Sequence, residues 1–248
     1  YAKWARAFKG GGADISSGSL PDSESAFLLE AEHAENFEVG AKGTLLDGLA
    51  NFNITAFQVT ISDLQIATAI PEGLGTQSSQ STNAGKQRTR GIEFDGRWAA
   101  TENLMLGVSG ALMDGVMVDF FGAGCTDIEF ENAETGPCLT EEEAEELYDD
   151  PDLEGTIDRS GYPAPRTPDW KFVADLQYWM PVPGFDQHKL TFNTRFYMSD
   201  GYCDTIGDCG ITRWETHGDA NASLSLGDMA DVWELTAYVK NLFHPTAK

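Results

Sequence analysis

Nine stretches of this chain alternate apolar and polar residues, and the connections between them alternate strictly in length. They are long at 10–35, 67–86, 121–168 and 199–218, and short at 46–50, 100–103, 181–188 and 228–231. In an up-and-down antiparallel sheet, every second connection lies at the same end. All the long loops therefore share one end and all the short turns the other. Strands of about 9–12 residues with this asymmetry are the pattern of a tilted membrane-spanning β-barrel. A Greek-key sandwich gives no such regularity.

The faces agree with that reading. From Glu35 to Gln65, Phe37, Val39, Ala41, Gly43 and Leu45 share one face, and Glu38, Gly40, Lys42 and Thr44 share the other. Side chains of successive strand residues point to opposite sides, so this is an apolar face backed by a polar one. Asp47-Gly48 supplies a tight turn. Phe52, Ile54 and Ala56 then repeat the pattern against Asn51 and Asn53. The expected class is all-β: an antiparallel up-and-down transmembrane β-barrel, present here as a partial barrel of about nine strands. Phe37, Val39, Phe52 and Ile54 are expected to face lipid, and Glu38, Lys42, Asn51 and Asn53 the lumen. Charged residues elsewhere (Glu93, Asp95, Arg97, Lys171, Asp175, Arg195, Glu234, Lys240) fall on polar faces, where a wet or plugged lumen tolerates them. Trp98, Trp170, Tyr178 and Trp233 stand near strand ends, as interfacial girdles do. The competing reading is a large soluble sheet with one solvated face.

The chain of 248 residues carries 40 acidic and 16 basic residues, a formal charge of −24, which excludes a nucleic-acid partner. Fifteen of the acidic residues lie between Asp119 and Asp158, with no Lys or Arg among them, so the acidity is a property of one long loop, 121–168. No apolar run is long enough for a transmembrane helix, which leaves strands untested. The chain begins at Tyr1 inside a strand, without a Met or a signal peptide, and is expected to be a fragment or a processed chain. Cys125/Cys138 and Cys203/Cys209 form two close pairs in polar, Gly-containing segments. Four cysteines allow three connectivities; the spacing favours two local disulfides in an oxidising compartment over four free thiols.

At this point the chain resembles the C-terminal part of the barrel of TonB-dependent outer-membrane receptors. YAKWARAFKGGG at 1–12, EHAENFEVGAKGTL at 32–45, FNITAFQVTISDLQ at 52–65, NAGKQRTRGIEFDGRW at 83–98, YPAPRTPDWKF at 162–172 and VKNLF at 239–243 occur in that family's order. The resemblance covers residues 1–248. It implies a twenty-two-stranded barrel filled by a plug, with the plug and its TonB-contacting segment upstream of Tyr1 and the last strand beyond Lys248. It also implies a location in the Gram-negative outer membrane, against lipid and lipopolysaccharide. The function implied is TonB-energised uptake of a scarce small molecule, most often a ferric siderophore or other iron complex. The alternative is a secreted, disulfide-bearing β-sheet domain that binds carbohydrate through its loops.

No catalytic motif is present, so an enzyme is not expected. Loop arginines and aromatics are candidates to meet an anionic or aromatic ligand: Arg88, Arg90, Arg159, Arg166, Tyr202, Arg213 and Trp214. Thr140 with Glu143 reads as a capping box opening a short helix, LTEEEAEELY. Directly after it, Asp150, Asp152, Glu154, Gly155 and Asp158 match the start of an EF-hand-like Ca²⁺ loop. Position twelve, however, is Gly161 and not a bidentate Glu. The expectation is a solvated acidic loop with no cofactor, and Ca²⁺ at Asp150, Asp152, Glu154 and Asp158 is the alternative. A solvated loop predicts that calcium leaves its protease sensitivity unchanged. Protection that disappears in the Asp150→Asn/Asp152→Asn variant would assign an ion instead.

Overall fold

Nine strands hydrogen-bond in chain order into one antiparallel sheet in the computed structural model of the chain. They are β1 (Ala2–Lys9), β2 (Glu32–Leu45), β3 (Ala50–Pro71), β4 (Gln77–Ala99), β5 (Leu104–Asp119), β6 (Trp170–Val182), β7 (Phe185–Ser199), β8 (His217–Asp228) and β9 (Glu234–Val239). The structure describes all residues except 14–27, 72–76, 126–128, 130–137, 150–153, 205, 207–208, 210–212 and 243–248. The sheet is open, with β1 and β9 at its edges. Sequential strands pairing with their neighbours is the up-and-down arrangement of a barrel wall.

Register fixes the faces. Phe37 stands opposite Gln58, Val39 opposite Ala56, Ala41 opposite Ile54 and Gly43 opposite Phe52. Ile54 continues to Phe94 and Ala56 to Ile92. Ile92 meets Leu112 and Phe94 meets Gly110, then Leu112 meets Trp170 and Val108 meets Ala174. The same face runs on through Phe192, Leu224 and Ala237. On β5 it extends from Leu104 to Leu112. Nine residues at roughly 3.3 Å each, shortened by a tilt of about 40°, give a belt roughly 23 Å tall, the height of a membrane barrel's apolar band. This face is bare: Val39 is 60 % exposed, Leu112 56 % and Leu235 69 %. Water would not tolerate so large an apolar surface, and lipid would cover it.

The opposite face is polar and laced across the strands. Arg195 Nε donates to Asp175 Oδ1 at 2.8 Å, Asn53 Nδ2 to Asp95 Oδ1 at 3.0 Å, and Lys3 Nζ to Glu38 Oε1 at 3.2 Å. Asn193, Ser223, Ser225 and Thr236 continue the ladder towards β9. Aromatics mark both rims of the belt, with Trp98, Tyr178 and Trp233 towards the short turns and Trp170 towards the long loops. His188 lies 5.6 Å from the Trp233 ring and 6.1 Å from Phe185.

Several boundaries differ from the sequence expectation. The segment 67–86, expected as a loop, is mostly strand: β3 and β4 stay paired as far as Pro71 and Gln77. The run Gln77–Thr82 carries no apolar alternation to announce a strand, and backbone pairing needs none. The break expected at 181–188 shrinks to Pro183-Gly184, with Gly184 at φ 80°. The first hairpin turns through Leu46, Asp47 and Gly48, all at positive φ. The loop 10–35 gives way to β2 already at Glu32, preceded by a short pairing of Gly12–Ala13 with Leu28–Leu29.

An arginine placed on the bare face tests the assignment. Leu224→Arg should destabilise the barrel by about 2–4 kcal/mol in lipid, while Asn193→Arg on the polar face should be nearly neutral. Denaturant titration in bilayers would measure both.

Candidate functional site at the long-loop end

The only sizeable buried core among the described residues lies beyond the wall, in a cap over the long-loop end. Met117, Phe120, Ala123, Cys125, Cys138 and Ile157 form it, with Leu64, Ile66 and Ile206 against it. The cap is built from the acidic segment by pairing it back onto β5. Wall strand β6 accompanies β5 only as far as Leu112. Beyond that point the segment 155–164 takes over as partner. Ala164 N donates to Gly115 O at 2.9 Å, Gly161 N to Met117 O at 2.7 Å and Arg159 N to Phe120 O at 2.8 Å. Ala123 and Gly124 then pair with Ile157 and Thr156. The strand extension would otherwise present unpaired backbone groups, which the loop satisfies.

Three devices hold the cap. Cys125 and Cys138 are disulfide-bonded, with Cα atoms 6.3 Å apart. Helix α1 (Glu141–Tyr148) starts at a reciprocal capping box. Glu143 N donates to Thr140 Oγ1 at 3.3 Å, and Thr140 N donates to Glu143 Oε2 at 3.0 Å. The Thr140 amide first, and its hydroxyl second, hold the Glu143 carboxyl below the usual glutamate range. Third, Arg159 is 1 % exposed and forks onto Glu129 with bonds of 2.9 and 2.7 Å. Its guanidinium also lies 5.5 Å from the centre of the Tyr162 ring. Arg159 is thereby a structural cation and not a ligand-facing loop residue, which corrects its sequence reading.

Four of the sequence-derived ligand candidates come together beside this cap. Tyr202 and Trp214 pair across a two-residue ribbon and stack with ring centres 6.2 Å apart, and Cys203 pairs with Arg213. The ribbon is tied by a disulfide between Cys203 and Cys209, whose Cα atoms are 5.1 Å apart. Arg166, at φ 54°, donates its backbone N–H to Cys203 O at 2.8 Å and its Nε to Asp204 Oδ1 at 2.7 Å. That carboxylate raises the Arg166 pKa. Trp214 is 56 % exposed. The result is an exposed aromatic step with the Arg166–Asp204 pair beside it, while Arg213, next to Trp214 on its strand, falls on the ribbon's other face. Arg88 and Arg90 are elsewhere: both lie in β4 on the bare face, and Arg90 pairs with Asp114 at 2.9 Å.

Asp150 and Asp152 lie outside the described residues. Glu154 occupies an exposed turn, and Asp158 accepts the Ser160 N–H at 2.8 Å. The Ser160 hydroxyl and amide together lower the Asp158 pKa. No cluster of three or more His, Cys, Asp or Glu side chains suited to a metal ion occurs among the described residues. Inside the wall, Arg97, Asp175, Gln177, Arg195, Tyr238 and Lys240 line a shallow cavity of about 440 Å³. Sequence reasoning assigned Arg97, Asp175, Arg195 and Lys240 to the lumen but did not see them converge with Gln177 and Tyr238.

Known proteins bear on this geometry. The family model described as "TonB dependent receptor-like, beta-barrel" matches residues 1–242. The chain belongs to that family. No curated protein matches it in sequence. The ferric yersiniabactin uptake receptor FyuA from Yersinia pestis is similar in structure, at 16 % identity and a TM-score of 0.64 over 98 % of this chain and 29 % of that one. The siderophore receptor PiuA from Acinetobacter baumannii matches at 15 % identity and 0.60, over 97 % of this chain and 29 % of that one. The copper transporter OprC matches at 14 % and 0.60, over 98 % of this chain and 31 % of that one. The chain thus spans just under a third of these proteins, and at such identities the likeness carries the fold alone. TonB-dependent receptors are transporters and not enzymes. The reading as a secreted carbohydrate-binding sheet is not favoured by the family match.

Removing one partner of the buried Arg159–Glu129 pair leaves a desolvated charge. Arg159→Ala should therefore expose the cap to protease while the wall stays folded, as limited proteolysis with mass mapping would show. The capping box carries its own pH signature. Because the Glu143 pKa is lowered on folding, its contribution is present above the ordinary glutamate range and is lost as pH falls through the lowered value. The protection of the α1 amides, measured against their intrinsic exchange at each pH, should fall on acidification in the parent chain, and Glu143→Gln should flatten that dependence.

Proposed function

We propose that this chain is part of the wall and cap of an outer-membrane receptor that imports a scarce small molecule by TonB-energised transport. The observation that carries this reading is a continuous up-and-down wall with a bare apolar outer face and a laced polar inner face. Lipid would cover the first, and a plug domain fits the second. The TonB complex would act through such a plug.

The substrate we infer is a ferric siderophore or another iron complex. Ferric yersiniabactin, a siderophore and copper are what the three similar structures are named for. The chemistry of the cap end supports a chelate with a planar part: the Tyr202–Trp214 step offers π surface, and Arg213, which has no ion pair among the described residues, offers positive charge on the same ribbon. Calcium in the acidic loop plays no part in this reading.

A strain lacking the receptor, complemented with the complete reading frame, should regain growth on one ferric chelate as sole iron source. The protein should fractionate with outer membranes. Trp214→Ala should weaken capture of that chelate about tenfold, the scale of losing one aromatic contact of about 1–1.5 kcal/mol. Recovery as a soluble monomer, or growth indifferent to every iron complex, would overturn the proposal.

A further inference from the structure

Ile206 belongs to the connection 199–218, yet it packs against the core of the cap, which comes from the end of β5 and the connection 121–168. It lies three residues from Cys203 and three from Cys209, at the midpoint of the loop that their disulfide closes. Cys203 follows Tyr202 and pairs with Arg213, the neighbour of Trp214. A side chain at the midpoint of so short a covalent ring transmits its displacement to the ribbon. If Ile206 leaves the cap core, Tyr202 and Trp214 move with it.

The ribbon has two roots. On the wall side, Gly201 N and Thr216 Oγ1 both donate to Asp200 Oδ1, at 2.8 and 3.0 Å, and Asp200 N donates to Trp170 O at 2.9 Å. Gly201 lies so close beneath the ribbon that a Cβ there would overlap the Trp214 carbonyl oxygen. This root fixes where the ribbon leaves β7 and β8, but it does not reach the far end of the loop. On the cap side, Arg166 holds Cys203 O through its amide and Asp204 through its Nε. The Arg166 and Asp204 side chains are 73 % and 37 % exposed, so salt screens their attraction and it is weak. The apolar contact of Ile206 is not screened, and it is the stronger anchor on this side.

We propose that Ile206 is a positioning residue for the aromatic step. It seats the Cys203–Cys209 loop in the cap core, so that the cap, a separate connection of the chain, sets the geometry at which Tyr202 and Trp214 are presented. Arg159, which holds the cap together through Glu129, then acts on the step at one remove, and it does so through Ile206. Capture of a chelate with a planar part depends on the cap although no cap side chain need touch it. That last consequence rests on the function proposed above, whereas the seating of the ribbon does not, so the two fail separately.

The test uses the receptor from its complete reading frame, labelled with fluorotryptophan and followed by fluorine NMR in detergent. Loss of one resonance in Trp214→Phe assigns the step, and the Trp98 resonance reports that the wall is folded. Ile206→Ala should shift the Trp214 resonance towards that of an unstructured chain while Trp98 stays in place, and Ile206→Val should keep the parent position. Arg159→Ala should shift Trp214 in the same direction, and the double variant should go no further than either single one. About 1 M salt should leave the parent resonance unmoved. The ferric complex of dihydroxybenzoate, whose ligands are planar, serves as probe of capture. Ile206→Ala and Arg159→Ala should each bind it about threefold or more weakly, again without adding, and Ile206→Val should bind as the parent does. A Trp214 resonance unmoved by Ile206→Ala, additive shifts in the double variant, or release of the step by salt would each overturn the proposal. A parent that does not bind the probe counts against the function proposed above, and the Trp214 resonance then decides the seating alone.

Discussion

Every backbone amide and carbonyl in a wall of this kind must find its partner on a neighbouring strand, because a hydrocarbon surround offers none. That requirement sets the rest of the structure. It fixes the register, and the register fixes the faces. A slip of one residue between β2 and β3 would send Phe52 and Ile54 to the polar side and bring Asn51 and Asn53 out against lipid. The same requirement explains the cap. β5 outruns β6, and its last seven residues still need a partner, so the chain that follows turns back and supplies one along 155–164. The buried cluster around Met117 is then the consequence of a pairing problem solved locally.

The division of chemistry follows. Ion pairs on the inner face, such as Asp175 with Arg195, are exposed and individually weak, so they serve more as a polar lining than as a source of stability. The Arg159–Glu129 pair is desolvated and forked, and it fixes the geometry of the cap. The aromatic step at Tyr202 and Trp214 is neither wall nor core. It stands on a disulfide-tied ribbon joined to the cap segment through the Arg166 amide, so it is held from two sides while its ring faces stay open.

The wall was legible in the sequence because its physics is periodic. Alternation from Phe37 to Leu45 and again from Leu104 to Leu112 requires no knowledge of partners, and the connection lengths order the ends. The capping box was legible for the same reason, since Thr140 and Glu143 are three residues apart and complete their own bonds. What stayed hidden depended on distant partners. Nothing near Arg159 announces Glu129, thirty residues earlier, as its counterion. Nothing in the composition of 77–83 distinguishes a hairpin arm from a loop. Arg88 lies just past the segment 67–86, and only its pairing opposite Thr60 places it on the outer face.

The two disulfides share a topological property. Each closes inside a single connection between neighbouring wall strands, over sequence separations of 13 and 6. Neither ties one strand of the wall to another. Oxidation can therefore precede assembly of the sheet without committing it to any register, and wall strands remain free to find their neighbours afterwards. Cross-linking chemistry and barrel closure are in this way kept as independent events, each able to be completed, or repaired, without undoing the other.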